Sequence, residues 1–416
     1  MKKIVLKFIY FVLANYARKV IREHNPFVIA ITGSAGKTTT KEAIAKVLEA
    51  KYGDEVRKTA GNLNAEIGIP LTILGYKRVP GKLSWLVFLI SAYFKTRPKS
   101  YPKFLVLEMG VEHKGDIEYF GSIVRPDIGV ITGIAPVHLV NFKDFEALKA
   151  EKIALAKILK KDGRLIINAD DAALAKLAFD NTISIGIQSK NADYQAKDIS
   201  VSPLGTTYRI ETVGQKIAVR SKLIGEQFIY AQLFGFAAGK IFDIQSLKIK
   251  NALESLVPLQ GRMNLIEGKN QTLILDDTYN ANPASVHAAL TALNNFERSG
   301  RKVLIMGNMN ELGSKEKEAH DEVAEIAMGI CDLALFAGPN AGRMAAKFKG
   351  KNAFAFQDRG ALIKSLDHYI RKGDIILIKA SQNNNYFEEV TKVLMKEPKA
   401  ADDLLVRQSR SWMRKK

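Results

Sequence analysis

The run Phe27-Val28-Ile29-Ala30-Ile31, followed at once by Thr32-Gly33-Ser34-Ala35-Gly36-Lys37-Thr38-Thr39, constrains this chain more than any other stretch. Five apolar residues rich in β-branched side chains read as a strand buried on both faces. Lys41 to Ala50 then reads as a helix. A strand that feeds a glycine loop and then a helix is half of a parallel crossover, so the chain must build an open α/β sheet. In that setting the loop is a phosphate site. Its successive backbone N–H groups form a concave anion cradle, and the helix N-terminus adds partial positive charge. Gly33, Ser34, Ala35, Gly36 and Thr39 frame the cradle. Lys37 is placed to reach the β- and γ-phosphates of ATP, and Thr38 to hold Mg2+. The spacing G-x-x-G-K-T-T is shorter than G-x-x-x-x-G-K-[ST]. A helix cap or a plain turn explains an isolated glycine, but not Gly-Lys-Thr directly after an apolar strand.

The same alternation recurs downstream. Phe104 to Leu107, Ile128 to Thr132 and Leu165 to Asn168 read as strands, and Phe145 to Leu159 has helical spacing. Residues 185–225 alternate apolar and polar side chains, which suggests an antiparallel insertion. A second α/β series opens near Gly261, with strands at Leu273 to Leu275, Lys302 to Met306, Leu333 to Phe336 and Asp374 to Ile378. This predicts an N-terminal basic amphipathic helix over 1–25. It also predicts a central P-loop nucleotide-binding domain with a mostly parallel sheet over 26–260, and a C-terminal Rossmann-like α/β domain over 261–416. At 416 residues and 47% hydrophobic content the chain can fill two or three cores. A lone cysteine, Cys331, excludes an intramolecular disulfide and a thiolate metal cluster, and it suits the reducing cytoplasm.

The formal charge is +19, which favours anionic partners. No helix-turn-helix, zinc-finger or aromatic-sheet signature accompanies that charge, so nucleic acid is not an expected partner. Two stretches point to a membrane surface. Residues 1–22 combine Lys2, Lys3 and Lys7 with an apolar run and then Arg18, Lys19 and Arg22. Residues 83–94 are apolar on all faces and aromatic, and lysines and arginines flank them on both sides. Neither is long enough to span a bilayer, and basic and aromatic flanks suit the interface. The alternative is a pair of helices packed on the body. The expected location is the cytoplasm, peripheral at the cytoplasmic membrane.

T-G-S-x-G-K-T-T-T resembles the Mur ligases, ATP-dependent amide-forming enzymes of peptidoglycan synthesis. The resemblance continues, in order, through Thr59 to Pro70, Glu108-Met109-Gly110, Asn168-Ala169-Asp170-Asp171 and Gly261-Arg262. It ends with Asp276-Asp277-Thr278-Tyr279-Asn280-Ala281-Asn282-Pro283 and Gly307 to Gly313. The last two are most similar to the member that adds D-alanyl-D-alanine to a UDP-muramoyl-tripeptide. The implied chemistry is transfer of the γ-phosphoryl group to a carboxylate, followed by attack of an amine on the acyl phosphate. The implied partners are a nucleotide-sugar peptide or other small-molecule carboxylate and an amino acid or dipeptide. A related ligase with another acceptor, and a non-catalytic nucleotide-binding scaffold, are the alternatives.

The resemblance also implies roles. Glu108 is a strand-end Mg2+ ligand, His138 falls at the second metal site, and Lys152 stands where many members carry a carbamylated lysine. At Lys152 the usual glutamate two positions later is Ala154, and an acidic residue, Glu151, precedes the lysine instead. Arg262 is implied to reach the γ-phosphate on closure. Asp276, Tyr279, Asn280 and Asn282 are implied to contact the nucleotide, and Lys379 and Ser381 to meet the amine. Three departures stand out. Gln227 and Phe228 replace the histidine and asparagine that meet adenine, which leaves Phe228 to stack on the base. Asn308 replaces an aspartate. The family's UDP-sugar domain would lie before the loop, where some 25 residues precede the first strand; either another surface or protein holds the nucleotide-sugar, or the acceptor differs.

Overall fold

Buried strands and helices alternate along the chain and sort into two compact units. The first comprises residues 1–197, 209–219 and 228–256, and the second residues 198–208, 220–227 and 257–416. The computed structural model describes residues 2–61, 63–79, 85–135, 141–177, 179–297, 299–349, 352–382, 385–414 and 416.

The first unit opens with helix α1 (Lys2–His24) and strand β1 (Phe27–Thr32), which runs into α2 (Lys37–Tyr52) and the short β2 (Val56–Lys58). Helices α3 (Gly68–Ile73) and α4 (Trp85–Phe94) precede β3 (Phe104–Glu108). Then come α5 (Asp116–Ile123), β4 (Ile128–Ile131), α6 (Phe145–Lys157), β5 (Arg164–Asn168) and β6 (Thr182–Gly186). Next in the chain, with residues 198–208 and 220–221 counted to the second unit, come β7 (Tyr194–Ser202), β8 (Gly205–Thr212) and β9 (Gln215–Ser221), joined by two-residue links too short for anything but antiparallel neighbours. Helices α7 (Gln227–Ile241) and α8 (Ser246–Glu254) complete the series. The sheet order is β2-β3-β1-β4-β5-β6-β7-β8-β9. From β2 to β7 every neighbouring pair is parallel. β1 therefore lies between β3 and β4, and the order of connection reverses across it. A crevice opens at the carboxyl ends of strands at such a point. The register sets Ile31 beside Glu108 and Thr32 beside Ile131, so β3 and β4 end level with the start of the glycine loop. The apolar strands read from the sequence at 27–31, 104–107, 128–132 and 165–168 are β1, β3, β4 and β5.

The second unit carries β10 (Asn264–Glu267), β11 (Leu273–Asp277), α9 (Pro283–Asn294), β12 (Lys302–Met306) and α10 (Glu316–Ile330). It continues with β13 (Leu333–Ala337), α11 (Ala341–Lys347), β14 (Asn352–Phe356), α12 (Arg359–Tyr369), β15 (Ile375–Lys379) and α13 (Glu388–Leu394). The order is β10-β11-β15-β12-β13-β14, antiparallel only at β10–β11. β15 is the central strand, and Lys379 at its end is level with Asp277 and Met306. Cys331 is buried, as a small core residue.

Helices α1 and α4 are packed on the body, the alternative that their sequence left open, but only along one face. Each buries one face, with Leu13, Ala17 and Val20 of α1 and Phe88 and Ala92 of α4 in the core of the first unit. Each leaves large apolar side chains in solvent on the other. Among the described residues no helix is long and apolar enough to cross a membrane.

Candidate functional site

The glycine loop is held by backbone geometry. Gly36 takes the left-handed conformation (φ 79°) at the N-cap of α2. Gly33 has φ 145°, and a Cβ there would fall 2.0 Å from Thr132 Oγ1, so no side chain fits. The Ser34 hydroxyl donates to the Ala135 carbonyl at 2.8 Å, and the Ser34 N–H donates to the Gly133 carbonyl at 2.8 Å. Asp171 ties down the next turn by accepting from the Ile134 N–H at 2.6 Å. The loop is thus fastened to the end of β4. The Asn168-Ala169-Asp170-Asp171 motif serves this turn and that of 187–189, whose N–H groups Asp170 accepts.

Two lysines converge on one acceptor. Lys37 Nζ donates to the Gly33 carbonyl at 2.8 Å, and Lys152 Nζ, from α6, donates to the same oxygen at 3.2 Å. Lys152 is only 1% exposed, not a surface lysine. Burial, and after it the charge of Lys37, lower its amine to about 7, against the opposing effect of Glu151. Glu151 itself accepts from the N–H groups of Gly115 and Ile117 at 2.9 and 2.8 Å, and so caps α5. The acidic residue before Lys152 has a structural occupation.

Glu108 closes β3 and is 2% exposed. Its Oε1 accepts from the Thr38 hydroxyl and the Asn64 amide, each at 3.1 Å. Its Oε2 has no hydrogen-bond partner among the described residues. Lys41 Nζ lies 3.5 Å from that oxygen and is 1% exposed. A buried carboxylate oxygen without a donor, beside the hydroxyl of the residue after the loop lysine, is the donor set of a hard divalent cation completed by phosphate oxygens and water. Thr38 and Glu108 therefore fit Mg2+. Among the described residues no three His, Cys, Asp or Glu side chains cluster. His138 lies outside the described residues.

In the second unit the implied residues divide. Arg262 stacks over the Tyr279 ring, 4.2 Å from its centroid. Arg407, from the C-terminal tail, donates to the Tyr279 carbonyl at 2.6 Å and to Glu388 at 3.0 Å. Asn280 Oδ1 accepts from the Gln382 N–H at 3.3 Å, and Ser381 donates to the Ala281 carbonyl at 2.6 Å. Lys379 is buried, ion-paired to Asp277 and bonded to the Asn280 carbonyl at 3.0 Å. Asn282 caps α9 in a reciprocal box with Ser285. Asp276 is fully buried beneath the loop, where it accepts from Thr278 and Thr391 at 2.9 and 2.8 Å. Burial pushes its carboxyl up to about 7, the two hydroxyls opposing the rise and Asp277 and Glu388 adding to it. Phe228, offered by the sequence for stacking on adenine, is buried in α7.

Sequence reasoning missed Lys41, Arg407 and His320. His320 is buried, accepts the Met309 N–H on Nε2 at 2.9 Å, and pairs through Nδ1 with the Glu316 carbonyl at 2.7 Å. It fixes the Gly307–Gly313 loop. Lys41 had a signal: it stands four residues after Lys37 on the same helix, which puts both on one face.

Residues 31–239 match the Mur ligase middle domain, and residues 261–382 match the Mur ligase, glutamate ligase domain. The chain is 30% identical over 391 residues to the UDP-N-acetylmuramoyl-tripeptide--D-alanyl-D-alanine ligase of Bacillus subtilis (strain 168), across 93% of this chain and 79% of that one. The enzyme of the same name from Escherichia coli (strain K12) is 30% identical over 377 residues, across 88% and 76%. The solved MurF ligase of Thermotoga maritima in complex with ADP matches with a TM-score of 0.77 at 28% identity, covering 94% of this chain and 84% of that one. With the phosphate loop, the strand-end glutamate and both matched domains in one order, the chain belongs to the Mur ligase family, whose members are ATP-dependent, ADP-forming ligases.

Proposed function

We propose that this ligase joins D-alanyl-D-alanine to the terminal carboxylate of a UDP-N-acetylmuramoyl tripeptide, splitting ATP to ADP and phosphate. The observation that carries the reading is the grouping of Lys37, Lys152, Thr38 and Glu108 around one fastened glycine loop. The amine and acceptor are those in the names of the relatives aligned over most of the chain.

In this reading the loop N–H groups and Lys37 bind the β- and γ-phosphates, while Thr38 and Glu108 hold Mg2+. The ion, when bound, screens the charge that builds on the transferred phosphoryl group. Lys152 is the proposed carbamylation site. An amine lowered to about 7 is neutral often enough to add CO2, releasing one proton and leaving a carbamate with one negative charge. His138 is the proposed partner of that carbamate at a second metal position. Arg262, Tyr279 and Asn280 are the proposed nucleotide contacts of the second unit, with Lys379 and Ser381 serving the amine. The proposed setting is the cytoplasm, at the inner face of the membrane.

The test is ADP release with mass detection of the product. Release should require both the muramoyl tripeptide and D-alanyl-D-alanine, and Lys37→Ala should abolish it, by about a thousandfold or more. Product formation by Lys37→Ala at the wild-type rate sinks the catalytic reading. Turnover with some other carboxylate and none with the tripeptide sinks only the acceptor.

A further inference from the structure

The two helices that pack over the first unit bear an outer surface that an ordinary soluble domain would cover with polar side chains. In α1, Phe8 and Phe11 stand three residues apart on one face, 61% and 63% exposed. In α4, Val87, Ile90 and Phe94 fall at i, i+3 and i+7, and are 71%, 54% and 70% exposed. The opposite faces are sealed in the core, so these side chains are not displaced core residues. The helices touch through Tyr16 and Tyr93, whose rings meet edge-on at 6.0 Å. Among the described residues, half of the large apolar side chains left in solvent fall within 6–11 and 79–94. Such clustering marks an interaction surface.

The charge around this surface selects the partner. Residues 1–22 contain six lysines and arginines and residues 76–103 contain seven, with no aspartate or glutamate in either segment. Lys7, Lys95, Arg97 and Lys99 are exposed beside the apolar side chains. Lys95 lies 4.3 Å from the centroid of the Tyr76 ring, and Arg97 5.8 Å from that of Tyr93. Exposed phenylalanines rimmed by cations and aromatic–cation pairs match the layered chemistry of a bilayer interface, acyl chains beneath anionic headgroups. Neither helix is long and apolar enough to cross.

We infer that α1 and α4 together form an interfacial docking surface for an anionic phospholipid bilayer, lying in its plane with Phe8, Phe11, Val87, Ile90 and Phe94 among the acyl chains. This goes beyond the ligase reaction, and a turnover assay without lipid separates the two. The apolar side chains supply depth of insertion, and the lysines and arginines supply preference for negative charge. Two weak signals acting together give stable attachment where one gives only transient contact.

The experiment is flotation of the full chain with vesicles of phosphatidylcholine alone, and of phosphatidylcholine mixed with phosphatidylglycerol, at low and high salt. The protein should float with the anionic vesicles, less so as salt rises. Phe11→Asp/Phe94→Asp should lower partitioning by about tenfold or more, with thermal unfolding and lipid-free turnover unchanged. Failure to float with either vesicle, equal flotation with both, or an unaltered double variant overturns the inference. A dimer that the double variant disperses, with no flotation of the wild type, also overturns it and gives the surface to a second copy.

Discussion

Glu108 in the first unit and Asp276 in the second stand at or next to the carboxyl end of a parallel strand, and both are buried. Each keeps one oxygen without a hydrogen-bond partner among the described residues. Their surroundings differ. Glu108 has a lysine at 3.5 Å and receives bonds from a hydroxyl and an amide, so its negative charge is balanced and its spare lone pairs are available. Burial drives Asp276 toward the protonated form; among the described residues its donors are two hydroxyls, and Asp277 and Glu388 are close enough to repel a charge. A carboxylate supplied with donors and a counter-charge can keep a lone pair for a further ligand, whereas one crowded by other acids in a dry site takes up a proton.

The largest effect that can break this contrast is on Mg2+. Glu108→Ala should lower kcat/KM by about a hundredfold or more and move half-saturation to higher Mg2+, and Asp276→Asn should leave that midpoint alone. A Glu108→Ala enzyme with the wild-type Mg2+ dependence, measured by titration at fixed ATP, would end the ligand assignment. Smaller is the loss expected on depleting CO2. If Lys152 carries a carbamate, activity in degassed, bicarbonate-free buffer should fall by about tenfold or more and return with bicarbonate, and no response would exclude the modification. Lys41→Met comes next. It strands the buried Glu108 charge and should destabilise the first unit by about 3 kcal/mol or more. Urea unfolding in a Trp412→Phe background, where Trp85 alone reports, measures this, and a stability equal to the parent's would mean that Lys41 does not balance Glu108.

The smallest effect is a slope. The carboxyl of Asp276 is raised from 3.8 to about 7, so its contribution to stability is full below 3.8 and is lost as pH rises through about 7. The second unit should lose on the order of 1 kcal/mol per pH unit across that window from this group. Asp276→Asn should flatten the slope, followed by Trp412 fluorescence in a Trp85→Phe background. An unchanged slope would show that Asp276 is ionised in the folded state.

Much of this was legible because the signals were local. Short apolar runs marked β1, β3, β4 and β5, and the strand–loop–helix order placed the phosphate cradle without reference to the rest of the chain. Glu108 and Lys152 were nameable through resemblance, but their burial was not, since a carboxylate at a strand end and a lysine on a helix are ordinarily solvated. Lys41 escaped for the same reason. Asn282 reads from sequence as a nucleotide contact, while its amide is also committed to starting α9. Side chains that act through pairings distant in sequence, such as Arg407 with Tyr279 or His320 with Met309, leave no periodic trace.

The register of β1 against β3 sets Ile31 beside Glu108, so the carboxylate is indexed to the sheet rather than to the loop it serves. In engineering terms the strands are a jig. A designer could exchange residues 33–36 for another phosphate-gripping turn, or lengthen it, and the strand-end acid would stay at the same height. Recombination among relatives is eased in the same way: a transplanted loop has only to meet Thr132 and Gly133 at the end of β4.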